Sequence, residues 1–397
     1  MRHFLLLCCI ISLGSVLWAD SWPLPRHDAG NTMLSTERIK LPLSLAWKVP
    51  GGGEPILATE DMLITKSKVA VRAFALNNGK LRWRIPGSWN DACVYGDRLI
   101  LIERITEYRE GMSLKTAAFS LADAHSLWTH QWDVNARSII PTHVTAYKDS
   151  LYFANGNEGH LWQIDPQDGT IKQELTLEAD SWSGGVPAFR DDRAYWGAGH
   201  HPYVIDLATF TCHTLSFYDG GNCYPLVWGD YLCLQGWNYW ANIIPLSAAK
   251  AQPGFIRLYG ARNGVHAIAP VDHGLLLEQD CWAEGLTAYD LVNGKPVWAL
   301  KPMIVNGCSA TAQSVFVTSI RDLPGRKGQV MMDGTLYALD SRTGQVRWYC
   351  RRAGRHVIGT PIIANQHVAI CVDGGTYCFR AAKGASTHHA SGKAART

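Results

Sequence analysis

Charge of either sign is scarce in excess: 37 Lys and Arg against 34 Asp and Glu leave a formal net charge of +3 over 397 residues. A chain so near neutrality offers no electrostatic case for nucleic acid as a partner. The eleven cysteines form no Cys-x-x-Cys pair and no Cys/His set with zinc spacing, which argues against a structural metal site. No Gly-x-Ser-x-Gly elbow is present, so the usual signature of an exposed serine nucleophile is missing. The apolar run from Phe4 to Leu17 is too short for a comfortable membrane span. Preceded by Met1, Arg2 and His3 and followed by Trp18, Ala19 and Asp20, it reads as a secretory signal peptide, residues 1–19, with cleavage near Ala19. Cys8 and Cys9 lie inside that run rather than after it, so no lipid anchor is expected. The mature chain is expected to be exported, periplasmic or secreted, with no transmembrane segment.

What the chain does have is tryptophan, sixteen in all, and a repeat that uses it. Asp333 to Trp348 reads as a strand, a tight turn and a second strand. Leu336 and Ala338 alternate with polar neighbours, Ser341 to Gly344 supply turn chemistry, and Val346 and Trp348 resume the alternation. Near-copies run from Ala288 to Trp298 and from Ala73 to Trp83, and a looser one from Ala118 to Trp128. Weaker copies put Gln173 at the tryptophan position in one repeat, and Phe210 and Thr214 at the glycine and tryptophan positions in the next. A fifth, between Asn242 and Leu258, is barely recognisable.

The pattern Ala-x-Asp-x-x-Thr-Gly-x-x-x-Trp resembles the tryptophan-docking motif of the PQQ-like (quinoprotein-type) β-propeller repeat family. That resemblance implies that Trp47, Trp83, Trp128, Trp298 and Trp348 wedge between neighbouring blades. Between the copies lie eight short apolar hairpins, the first pairing Pro55 to Leu57 with Met62 to Ile64 and the last Thr360 to Ile363 with His367 to Ile370. Their period of roughly 40–50 residues matches four strands per blade. The eighth repeat lacks its outer strand, because the sequence after Ala381 loses all apolar periodicity. Leu43 to Val49 is a strand ending in tryptophan with no turn before it, and it can fill that place. The expectation is therefore an all-β, eight-bladed propeller over residues 41–381, closed by an N-terminal strand that removes the open sheet edges. Residues 20–40 are expected to form an extended strap packed along the disc, and residues 382–397 a disordered, mildly basic tail.

Nine cysteines remain after cleavage, an odd number. Cys371 and Cys378 flank Gly374 and Gly375 and, if those two form the turn, stand opposite one another, either bridged or as small hydrophobes. The loops entering each inner strand, and those linking inner to outer hairpins, gather on one face. They carry Trp89, Trp182, Asn222, Trp237, Trp240, Arg262, Trp282, Arg321 and His356, and also Asp91 and His143. Two readings stay open for these tryptophans: stacking surfaces for a flat or sugar-like ligand, or caps over the channel.

The resemblance also implies two functions. One is a non-catalytic scaffold, similar to the propeller subunit of the outer-membrane β-barrel assembly machinery, that is monomeric and offers its loop face to an envelope protein, small ligand or glycan. The other is a PQQ-dependent alcohol or sugar dehydrogenase, which needs basic groups for three quinone carboxylates and oxygen ligands for Ca²⁺. The mature chain lacks the adjacent-cysteine disulfide associated with many such enzymes, and its Arg and Asp residues are scattered one or so per repeat. The scaffold is the leading expectation, with no cofactor, no metal and no catalytic residue assigned.

Overall fold

In the computed structural model, the described residues are 21–104, 112–134, 143–155, 159–177, 185–198, 201–215, 224–235, 240–246, 256–259, 265–271, 275–280, 285–290, 293–300, 304–323, 331–352 and 355–382. They form eight antiparallel meanders, here sheets 1 to 8 in order of their innermost strands. Sheet 1 comprises Glu54–Ala58, Met62–Ser67, Ala70–Ala75 and Leu81–Pro86, and sheet 2 Asp91–Tyr95, Arg98–Arg104, Met112–Ser120 and Ser126–Val134. Sheet 3 is His143–Tyr147, Ser150–Asn155, His160–Ile164 and Ile171–Thr176; sheet 4 is Ala188–Arg190, Arg193–Ala198, His201–Asp206 and Thr211–Thr214. Tyr224–Trp228, Tyr231–Gln235, Trp240–Pro245 and Ile256–Tyr259 make sheet 5, and Val265–Val271, Leu275–Asp280, Gly285–Asp290 and Pro296–Leu300 make sheet 6. Sheet 7 runs through Ile304–Thr311, Ser314–Leu323, Met331–Asp340 and Val346–Arg352. Sheet 8 takes Val357–Ala364, His367–Val372 and Gly375–Ala381 from the end of the chain and Leu43–Val49 from its beginning.

Inner strands of neighbouring sheets pack together, and the inner strand of sheet 8 packs on that of sheet 1. The turns joining first to second and third to outer strands lie on one face of the molecule, the turn face. The connections from second to third strands and from one sheet to the next lie on the other, the loop face. Cores form between sheets: Leu63, Phe74, Phe316, Ile363 and Phe379 belong to one buried cluster, and Ile100, Val144, Phe153 and Trp162 to another.

A single contact recurs between sheets. The Trp47 indole N–H donates to the Leu76 carbonyl (2.7 Å), Trp83 to Leu121 (2.8 Å), Trp128 to Pro166 (3.2 Å) and Trp298 to Ser341 (3.1 Å). In each case the acceptor lies in the third-to-outer turn of the next sheet, and the four indoles are buried. Where that turn has glycine, the ring lies against its Cα: a Cβ would come within 2.6 Å of Trp47 at Gly79, 2.7 Å of Trp128 at Gly169 and 2.6 Å of Trp298 at Gly344. These glycines hold φ of +73°, +77° and +68°. The glycine thus meets two demands, a left-handed backbone and the absence of a side chain under an indole. Ala124 takes the equivalent turn position beneath Trp83 and keeps the left-handed φ, +61°. Trp348 is only half buried, edge-on to Phe379 of sheet 8. The reason is topological: no turn joins the third and outer strands of sheet 8, since these come from opposite ends of the chain.

The outer strands carry a device that the sequence did not reveal. In sheets 1, 2, 3, 6, 7 and 8 the register slips by one residue just before the tryptophan position, at Arg82, Leu127, Lys172, Val297, Arg347 and Ala46. A bulge there twists the edge strand and re-aims the following side chain toward the neighbouring sheet. Sheet 4 has no such slip, and its outer strand is exposed throughout. Phe210 holds φ +54° in its turn, is buried, and shares a core cluster with Leu175 and Leu177 of sheet 3. The large ring has changed sides: where sheet 3 offers Gln173 instead of tryptophan, the turn of sheet 4 supplies phenylalanine instead of glycine.

Two expectations are corrected. The turn after Val372 is Asp373–Gly374, with φ of +49° and +74°, because an Asp-Gly pair suits a two-residue hairpin with both central residues left-handed. Cys371 therefore faces Thr376 and Cys378 faces Ala369, and both are free thiols. The strap does not run along the disc. Trp22 exchanges backbone bonds with Ala58 (2.8 and 2.9 Å), Pro23 accepts from Val94 (2.8 Å), Ala29 from Phe189 (2.7 Å), Gly30 from Val227 (2.9 Å) and Met33 from Ala310 (2.9 Å). Leu34–Ser35 then pairs parallel to Ala310–Thr311. The strap winds through the turn-face mouth of the channel, touching the inner strands of sheets 1, 2, 4, 5 and 7.

Replacing Gly344 by alanine adds left-handed strain and overpacking against Trp298, and the expected loss is about 2–4 kcal/mol in equilibrium urea unfolding. In a Trp298→Ala background the same change is expected to cost less than half as much, since the ring it strikes is gone. Gln173→Trp combined with Phe210→Gly is expected to be more stable than Phe210→Gly alone, by at least ~1 kcal/mol, if the two positions exchange one ring.

Candidate functional site

The loop face begins where inner strands enter the ring. Asp91 and His143 each open an inner strand, in sheets 2 and 3, and they meet: His143 Nδ1 lies 3.1 Å from Asp91 Oδ2, which also accepts the Val144 amide (3.2 Å). The other Asp91 oxygen accepts the Ala92 amide at 2.9 Å. Lys66 of sheet 1 donates to the Asn90 carbonyl at 2.6 Å. Across sheets 7 and 8, Asn306 donates to Val357 O (2.9 Å) and Thr318 to Gly359 O (2.7 Å). The mouth on this side is thus bordered by polar bonds from one sheet to the next. Asp91 and His143 occupy the same place in their repeats, first residue of the inner strand, and that equivalence was the available signal for their pairing.

Trp89, a candidate for either a ligand-stacking surface or a cap, is buried and closed off. Its N–H donates to Pro86 O (3.1 Å), Phe119 packs edge-on at 5.8 Å, and Lys115 Nζ sits 4.9 Å over the ring. Lys115 in turn reaches Glu103 at 3.4 Å. An indole followed by a strand of apolar alternation is drawn into the core between sheets because burial of its ring outweighs exposure. Trp240 and Arg321 lie on the third strand of sheet 5 and the second strand of sheet 7. Trp182, Asn222, Trp237, Arg262 and Trp282 lie outside the described residues.

His356 is exposed at the loop edge of sheet 8, where its backbone N–H donates to Asp373 Oδ1 (2.8 Å) and Arg355 bonds Asp373 Oδ2 (2.8 Å). Partial burial works against ionisation of Asp373, but the His356 amide and the Arg355 guanidinium outweigh it and hold the carboxyl below the usual carboxylate range. Trp89 and His356 are in separate clusters, on sheets 2 and 8.

The buried thiols Cys93, Cys233 and Cys308 offer no nucleophile. Burial pushes Cys93 well above its usual range, with the Asp91 carboxylate adding to it, and pushes Cys233 and Cys308 up to about 12. A thiol so raised stays protonated and inert at neutral pH. Among the described residues no group of three or more His, Cys, Asp or Glu side chains could hold a metal ion, and no helix is long and apolar enough to cross a membrane.

A family model described as outer membrane protein assembly factor BamB matches residues 12–195. The fold is similar to the crystal structure of BamB from Moraxella catarrhalis, at 12% identity and a TM-score of 0.57, over 86% of this chain and 99% of that one. Residues 12–195 are thus similar to the PQQ-like propeller repeat, and the whole chain has a propeller fold. The propeller is also similar to the quinohemoprotein alcohol dehydrogenase ADHIIG from Pseudomonas putida HK5 (12% identity, TM-score 0.64, 95% of this chain and 82% of that one). A europium-containing methanol dehydrogenase is similar at 13% identity and a TM-score of 0.61, over 88% and 89% of the two chains. No curated protein matches the sequence. At such identities the structural likeness speaks for the propeller fold alone, and function rests on the residues of the site.

The depressed Asp373 carboxyl gives a pH test. A carboxylate stabilised in the folded state contributes stability above its unfolded pKa and loses it as pH falls through the folded value. Asp373→Asn is therefore expected to lower Tm at pH 7, with the difference from wild type shrinking as pH falls below about 4, the ordinary carboxylate value, and closing once the carboxyl is protonated in the folded state as well.

Proposed function

We infer that this propeller is an exported, non-catalytic scaffold of the cell envelope, whose loop face receives a protein or glycan partner. The observation that carries this reading is the state of the chemical groups at that face. Asp91 and His143 are engaged with each other between sheets 2 and 3, and the buried thiols are held protonated. Groups committed to holding the ring rigid serve presentation of the loops rather than turnover. The match of residues 12–195 to the BamB family model supports a role among envelope proteins. The strap of residues 20–40 and the propeller of residues 41–381 act together as one unit in this reading, with a signal peptide of residues 1–19 removed on export.

Among the described residues, Trp89 and Asp91 speak against a PQQ and Ca²⁺ site. A quinone needs an open tryptophan floor, and the Trp89 ring is covered by Phe119 and Lys115. The cation needs several converging oxygen ligands, and Asp91 spends both of its oxygens on the two inner strands. The test is reconstitution of the mature protein with PQQ and Ca²⁺, then desalting. The expected result is no retained quinone absorbance and no dye-linked oxidation of alcohols or sugars. Stoichiometric retention, lost on replacing Trp182, Trp237 or Trp282, would make the dehydrogenase the better reading. For the scaffold itself, a photo-crosslinking residue placed at Trp237 is expected to capture a defined envelope protein or glycan in cells, while one at the rim residue Tyr349 does not. Equal labelling from both positions would count against a loop-face partner.

A further inference from the structure

The tryptophan contacts between sheets do not go all the way round. They are present from sheet 8 to 1, 1 to 2, 2 to 3 and 6 to 7. Sheet 3 has Gln173 at the tryptophan position, and sheet 4 has Thr214 there, on an outer strand with all four residues exposed and no bulge. At the 3-to-4 contact Phe210 takes over the buried role. At the 4-to-5 contact the outer strand itself is exposed, and Leu215 just past it is buried with Val227, Leu232 and Ile244 of sheet 5, a contact without an indole or its directional bond. The rim therefore leaves sheets 4 and 5 without the tryptophan contact seen from sheet 8 to 1, 1 to 2, 2 to 3 and 6 to 7.

The strap also bonds both sheets at the channel end of this same junction. Phe189 of sheet 4 donates to Ala29 O, and Val227 of sheet 5 donates to Gly30 O. Between these two residues and the next turn, Asn31 sends its side-chain amide to three carbonyls, Val186 (3.0 Å) and Pro187 (3.2 Å) before sheet 4 and Pro225 (3.0 Å) in sheet 5. Asn31 is buried and left-handed, φ +61°, a conformation asparagine tolerates better than most residues. Asp28 braces the bend by accepting from the Thr32 amide (3.0 Å) and hydroxyl. Gly30 is needed for the approach itself, since a Cβ there would stand 2.5 Å from the Val227 carbonyl oxygen.

We propose that the N-terminal strap is the clamp of the sheet 4–sheet 5 junction, holding from the channel a seam that has no tryptophan contact at its rim, and that undocking of the strap is the step that opens the ring there. Undocking removes five hydrogen bonds that cross between the strap and these two sheets. The seams 8 to 1, 1 to 2, 2 to 3 and 6 to 7 keep their tryptophan contacts. The device is independent of what the loop face binds.

Hydrogen-exchange mass spectrometry on the full mature chain tests it. In Asn31→Ala, amides in residues 186–198 and 224–235 are expected to exchange about tenfold faster or more, the scale of one or two lost buried hydrogen bonds. Amides in residues 62–75, 314–320 and 367–380 are expected to keep their wild-type rates. Gly30→Ala, which pushes on the Val227 carbonyl rather than removing a donor, is expected to give the same selective pattern. Uniform acceleration over all sheets, acceleration confined to sheets 1 and 7, or no change would each overturn the proposal. Should neither variant fold, the wild type decides: the Phe189 and Val227 amides and the strap amides are expected to share one opening rate. A strap that exchanges freely while those two amides stay protected would end the idea.

Discussion

An indole laid on a glycine is the contact on which the rest of this ring depends. A sheet of four short strands cannot bury both faces by itself, so each must find its neighbour, and hydrophobic faces alone do not set the angle between them. The indole N–H bonded to a carbonyl in the next turn sets it, because a hydrogen bond is directional where apolar burial is not. Gly79, Gly169 and Gly344 permit that approach, and the bulges at Ala46, Leu127 and Val297 aim the following indole across the gap. Turn, bulge and ring form one unit, repeated with the sheet.

Repetition also shows where the unit has been altered. Ala124 keeps the left-handed turn under Trp83 but adds a methyl group. Phe210 and Gln173 exchange the bulky and the small partner across the same gap. Trp348 finds no turn in sheet 8 and stays half exposed, because closure by a strand from the other end of the chain leaves no loop there to receive it. Each departure has a cause in the contact it modifies. The strap adds contacts from inside the channel, to the inner strands of sheets 1, 2, 4, 5 and 7.

The loop face is built on different chemistry. Its inner border is made of polar bonds between sheets, from Lys66 to Asn90, His143 to Asp91, and Asn306 and Thr318 to sheet 8. Such bonds immobilise the ends of the inner strands and leave the loops beyond them to vary. That division, a rigid support carrying variable loops, is the general arrangement by which one fold serves many partners.

The sequence by itself determined the strands, their pairing into hairpins and the place of the missing eighth outer strand. Period-two alternation and glycine turns are local, and a strand without a partner at each end of the chain admits one solution; Leu43–Val49 beside Gly375–Ala381 follows from it. The position of the turn at Asp373–Gly374 was within reach too, but two adjacent glycines masked the Asp-Gly signal, and a one-residue error moved Cys378 away from Cys371. Only the tertiary structure decided the rest. Whether Trp89 faces a ligand or the core depends on Phe119 and Lys115, thirty and twenty-six positions along the chain by sequence number and adjacent only once sheet 2 has formed. Residues 22–35 carry no periodicity that would foretell a path through the channel, because their bonds run from backbone to the ends of five different sheets. Backbone bonds of that kind leave no mark on side-chain pattern, and it is side-chain pattern that a sequence displays.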